Sequence, residues 1–145
     1  MRHFEPDYRH AHSDHLTAAA WQPPLCSGVG PSPRLAVIGG DGLIAVHAPL
    51  AGELLWQTRS RAGGLEHLSW SPDGQRLAVA GQHQRVEVRE AETGEIISRL
   101  DAGRPGHNDW VTAMAWSDSG VLAIAAGNRV SVWSSEGQWH ADCVA

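Results

Sequence analysis

Lysine is absent from this chain, tyrosine and phenylalanine occur once each, and 145 residues contain only two cysteines. Eleven arginines stand against sixteen acidic residues, a net charge of −5. That balance lacks the basic stripe a nucleic-acid backbone requires, so no nucleic-acid partner is expected. Cys26 and Cys143 form neither a disulfide framework nor a metal knuckle by spacing and fit a reducing compartment. The opening "MRHFEPDYRH" has no apolar stretch for export, and no later run is long enough to cross a bilayer. A cytoplasmic protein without a membrane partner is the expectation. Phosphate-loop, dinucleotide, H-E-x-x-H and G-x-S-x-G motifs are missing as well, which argues against an enzyme and against a cofactor.

What is present is a repeat. "RLAVIGG" from Arg34, "RLAVAG" from Arg76 and "VLAIAAG" from Val121 place Leu35, Leu77 and Leu122 in step, 42 and 45 residues apart, a period typical of propeller arrays. Each copy is preceded by a segment ending in tryptophan (Trp21, Trp70, Trp116). Each is followed by a β-branched segment ending at His47, Arg89 or Trp133, and then by one opening at Gly52, Gly94 or Gly137. Every unit therefore reads as four short strands, in the clearest copy near 65–70, 76–80, 85–89 and 95–100. "SPDG" at Ser71–Gly74 supplies a tight turn between the first two. No window offers a long apolar stripe at helical period without crossing glycine or proline, so very little helix is expected.

With "LSWSPDGQRLAVAG", "RVEVREAETGEIISRL" and the pair Gly106-His107 before "DWVTAMAW", the chain resembles the WD40-repeat β-propeller family. The resemblance implies an all-β fold of three four-stranded antiparallel blades, near residues 15–59, 64–101 and 107–143, after a polar leader over 1–14. It also implies a docking platform for proteins or peptides. The Trp-Asp that ends a third strand in the family is here Trp133-Ser134, and its counterparts are His47-Ala48 and Arg89-Glu90. In the family's pattern His107 would tie its blade's entering strand to the hairpin network, near Thr112 and Trp133.

Three blades do not close a ring, because propellers typically need at least four. The expected remedies are a dimer or trimer of the same chain, supplying six or nine blades, or membership of a larger propeller. An architectural module whose main act is self-assembly is the alternative to a platform for an unidentified protein or peptide. Trp21, Trp70 and Trp116, with Trp133, read as packing residues. Trp56, Trp110 and Trp139 are less regular and make candidate interface residues. Contact candidates cluster before the inner strands: Asp14, Glu66, Asn108 and Asp109, with Arg61, His67 and Trp110 nearby. The twelve residues between Trp21 and Arg34, against five between Trp70 and Arg76, suggest a surface loop. His10, His12 and His15, beside Asp14, are suitable metal ligands, but convergence in space is needed and the expectation is no metal.

Overall fold

The computed structural model describes residues 5–24, 32–61, 63–134 and, as backbone, 139–144. Twelve strands follow in order: β1 Leu16–Trp21, β2 Leu35–Gly39, β3 Leu43–Ala48, β4 Glu53–Arg59, β5 Leu65–Trp70, β6 Arg76–Gly81, β7 Arg85–Glu90, β8 Ile96–Asp101, β9 Val111–Trp116, β10 Leu122–Ala126, β11 Arg129–Trp133 and β12 Trp139–Val144. They form three separate four-stranded meanders, β1–β4, β5–β8 and β9–β12, each antiparallel throughout. One 3₁₀ turn, Pro49–Ala51, is the only helical piece among the described residues. The loop expected between Trp21 and Arg34 lies partly, and Cys26 wholly, outside the described residues, as do the side chains of Trp139 and Cys143.

Local chemistry sets the hairpins. Ser71 Oγ donates to Asp73 Oδ1 at 2.6 Å and accepts from the Arg76 amide at 3.0 Å, while Asp73 Oδ1 accepts from the Gln75 amide at 3.0 Å. Gly74 closes the turn at φ +72°, a region that costs glycine little. The third unit repeats the device, with Ser117 Oγ accepting from the Val121 amide at 3.1 Å.

Strand alternation then assigns two faces to each blade. On β6, Leu77 and Val79 turn toward the first blade and Ala78 and Ala80 toward the third, and all four are buried. One core lies between the first two blades, where Ala36, Ile38, Ile44 and Val46 meet Leu77 and Val79. A second lies between the last two, where Ala78, Ala80, Val86 and Val88 meet Val111, Leu122 and Ile124. The inner strands β1, β5 and β9 are successive neighbours, which orders the blades around a common axis. Antiparallel order brings the segments entering β1, β5 and β9 and the β2–β3, β6–β7 and β10–β11 hairpins to one end of the stack.

Candidate functional site

A tryptophan latch joins each blade to the one before it. Trp70 Nε1 donates to the Ala20 carbonyl and Trp116 Nε1 to the Ser69 carbonyl, both at 3.0 Å. The donors occupy equivalent repeat positions, and so do the acceptors. Trp70 is buried and Trp116 half-buried against the core. Trp21, expected to pack like them, is instead 56% exposed, since none of the three described blades stands on its side. Trp56 serves the interface within the chain: its indole N–H donates to the Ala91 carbonyl at 2.8 Å and its ring lies against Gly94. Trp133 packs on the second core and donates to Ser131 Oγ at 2.8 Å.

At the end of the stack where the inner strands begin, the proposed contact residues divide into two kinds. Asp109 is buried and accepts from the Arg104 amide at 3.0 Å and from the Arg104 Nε and Nη2 at 2.9 Å each. The Arg104 side chain, followed by its amide, holds the Asp109 carboxyl well below the usual carboxylate range. Asp14, its counterpart before β1, has a side chain only 7% exposed and accepts from the Asp41 amide at 2.6 Å. Both aspartates fasten an entering segment and are spent on structure. His107 corrects the expectation in the opposite sense: its side chain is exposed, whereas Thr112 Oγ1 donates to the Ala125 carbonyl and Trp133 is served by Ser131. Asp109, two residues on from His107, closes instead on Arg104 within the connection that enters β9.

Arg61, Glu66, Asn108 and Trp110 are exposed, Trp110 at 49%, and His67 is half-buried. Glu66 accepts from Gln82 Nε2 at 3.0 Å. Arg61 also lines a 610 Å³ cleft between the outer strands β4 and β8, together with Arg59, Arg89 and Arg99. Arg59, though exposed, is ion-paired with Asp41, and Arg89 is buried on Glu87 at 2.7 Å; Arg61 and Arg99 are the other two exposed arginines of the cleft. Sequence spacing did not single out Arg99, since an arginine alternating with apolar residues on an outer strand reads as an ordinary solvated position.

The outer face of the first blade is covered by the leader. Residues 5–15 descend along it: the His15 carbonyl accepts from the Gly40 amide at 3.1 Å, Ser13 Oγ accepts from Arg59 at 3.3 Å, His12 Nε2 meets His47 Nε2 at 2.9 Å, and Tyr8 Oη meets His47 Nδ1 at 2.8 Å. His10 closes a triangle of imidazoles, with ring centres 4.7 Å from His12 and 5.2 Å from His47. Burial first, and then the neighbouring His12 and His10, push His47 down to about 4. Among the described residues no group of three or more His, Cys, Asp or Glu side chains is disposed to hold a metal ion.

Residues 35–119 match the family described as the Anaphase-promoting complex subunit 4 WD40 domain. Among curated proteins, the chain is 36% identical over 66 residues to WD repeat-containing protein 1 of Xenopus tropicalis, covering 44% of this chain and 11% of that protein. It is 30% identical over 102 residues to an uncharacterised WD repeat-containing protein of Synechocystis, covering 68% of this chain and 28% of that one. The chain thus spans a small part of the curated relatives it matches. Among solved structures, the computationally designed Ika4 protein superposes with a TM-score of 0.76 at 21% identity, over 97% of this chain and 80% of that one. The structure of U3-55K gives 0.77 at 16%, over 94% and 41%.

Proposed function

The chain belongs to the WD40-repeat family, whose members are characteristically non-catalytic scaffolds for protein interaction, and from that premise we propose a protein-binding platform whose propeller is continued by a second copy. The observation that carries the reading is the outward face of the third blade. Ala123, Ala125, Val130 and Val132 stand where Ala36, Ile38, Ile44 and Val46, and again Ala78, Ala80, Val86 and Val88, are shut against the next blade. On the third blade these positions stay partly or wholly open, with Val130 43% exposed. The acceptor equivalent to Ala20 and Ser69 is the Ala115 carbonyl, and the donor equivalent to Trp70 and Trp116 is the exposed Trp21. Head-to-tail contact between two chains would supply the missing latch at each junction.

The partner-binding surface in this reading is the end of the stack bearing Arg61, Glu66, His67, Asn108 and Trp110, continued by Arg61 into the cleft with Arg99. Exposed arginine and tryptophan are suited to anchor a peptide carrying carboxylates. Absolute mass by light scattering across protein concentration tests continuation: a discrete dimer or trimer is expected, abolished by Val130→Glu. A second reading, three blades of a longer propeller, is favoured by the small share of each curated relative that is matched. It predicts a chain that neither forms a discrete assembly nor responds to Val130→Glu.

A further inference from the structure

Stacking of a further blade requires a bare face, and the first blade does not have one. Val37, Ala45 and His47 point away from the second blade and would meet a preceding blade, yet all three are buried. The leader occupies that place, anchored at one end by the contact of Asp14 with the β2–β3 hairpin and at the other by Tyr8 and His12 on His47.

We propose that residues 5–15 are a displaceable cover of the first blade's outer face, and that what they exclude is the third blade of a second copy. The inference rests on the head-to-tail reading above and adds a control to it. The occupant is set by repeat equivalence: Leu35 and Val37 of this face correspond to Leu77 and Val79, whose partners are blade faces of the type the third blade leaves open. Leader and incoming blade claim the same surface, so each weakens the other's docking.

The contact chemistry makes the cover sensitive to acid. Two Nε2 atoms at 2.9 Å share a proton only while one ring offers a lone pair, so His12 and His47 cannot both be protonated and keep this bond. The groups facing His47 are Tyr8, His10 and His12 from the leader. Its ladder neighbours on β2 and β4 are the uncharged Leu35 and Leu54. Glu5 and Arg9 pair with each other on the exposed side of the leader, and Asp14, Asp41 and Arg59 gather at the far end of the sheet. Burial first, and then His12 and His10 of the leader, hold His47 at about 4 against an ordinary 6.5, so the seated leader is favoured at neutral pH and its docking weakens as pH falls through that range.

The sequence holds a single tyrosine, so fluorotyrosine at Tyr8 gives one ¹⁹F resonance that reports whether the cover is seated. It is to be recorded beside light-scattering mass for the full chain, at pH 7.5 and 5.5, and for His12→Ala at pH 7.5. The expected result is a shift of the resonance toward the free position on acidification and in His12→Ala, with the concentration for half-association falling several-fold in His12→Ala at pH 7.5 and with Val130→Glu abolishing association. A resonance that stays in the seated position while a discrete dimer forms overturns the cover and leaves head-to-tail continuation standing. A free resonance on His12→Ala that stays monomeric at pH 7.5 overturns both. Association that Val130→Glu does not touch overturns the third blade as the excluded partner.

Discussion

Three tryptophans that are equivalent in sequence should be unequal in energy. Trp70→Phe removes an indole N–H that donates at 3.0 Å across the first interface and shrinks a ring that is 7% exposed. Loss of a neutral hydrogen bond costs about 1 kcal/mol. The smaller ring forfeits roughly 40 Å² of apolar burial at about 25 cal/mol per Å², another ~1 kcal/mol. The total is ~2 kcal/mol. Trp116→Phe loses the same bond but less burial, giving about 1–1.5 kcal/mol. Trp21→Phe alters a ring that is 56% exposed and should stay within about 0.5 kcal/mol. Urea unfolding of the three variants at low micromolar concentration, followed by far-UV dichroism, measures all of them. Equal losses, or a loss at Trp21 matching that at Trp70, would refute the assignment of Trp21 to an open end. If the chain stacks head to tail, Trp21→Phe gains a penalty only as concentration rises into the associating range.

Glu87→Ala would leave Arg89 buried without its counter-charge, costing about 3–5 kcal/mol. Chemical denaturation of Glu87→Ser/Arg89→Trp, which copies the Ser131–Trp133 pair of the third blade, should show much of that loss recovered. Gly81→Ala should be disruptive, because an added Cβ meets the Gly64 carbonyl and the Leu65 backbone, and a melting curve should show a loss of more than about 2 kcal/mol. Asp109→Asn should expose the Arg104 amide to faster hydrogen exchange at neutral pH. In the parent, the carboxyl's lowered proton affinity keeps that protection until pH falls below the ordinary carboxylate range. Trp110→Ala should leave the melting temperature within a degree or two while weakening capture of an acidic peptide, read by fluorescence titration.

The blades were legible in sequence because their determinants are local. The Ser71–Gly74 turn closes with bonds spanning no more than five residues, and the alternation of Leu77 and Val79 with Ala78 and Ala80 assigns both faces of a central strand. The clearest unit lands within a residue at each strand, with β8 starting at Ile96 rather than 95. The contact surface was less legible. Asp14 and Asp109 looked like acidic contacts because a buried, bonded carboxylate and a solvated one are the same letter. Trp21 looked like Trp70 because a repeat pattern does not distinguish the end of a stack from its middle. The leader's fold-back depends on polar contacts 35 and 39 residues apart, which no periodicity announces.

One position shows why the first blade's end differs from the rest. His47, Arg89 and Trp133 occupy the same place at the end of the third strand, in register with Leu35, Leu77 and Leu122. His47 and Arg89 are buried and Trp133 half-buried, so a polar group at each needs a partner. Arg89 finds Glu87 and the Gly94 carbonyl, and Trp133 finds Ser131, each within its own blade. His47 is served from outside its sheet, by Tyr8 and His12. Displacing the leader therefore removes polar satisfaction as well as apolar cover, and an incoming third blade offers Ala and Val at its outward positions on β10 and β11. A protonated His47 is covered no better by those apolar side chains than by the leader, so acid loosens the leader, while the gain in association belongs to loss of the leader's contacts at neutral pH, where His47 stays uncharged.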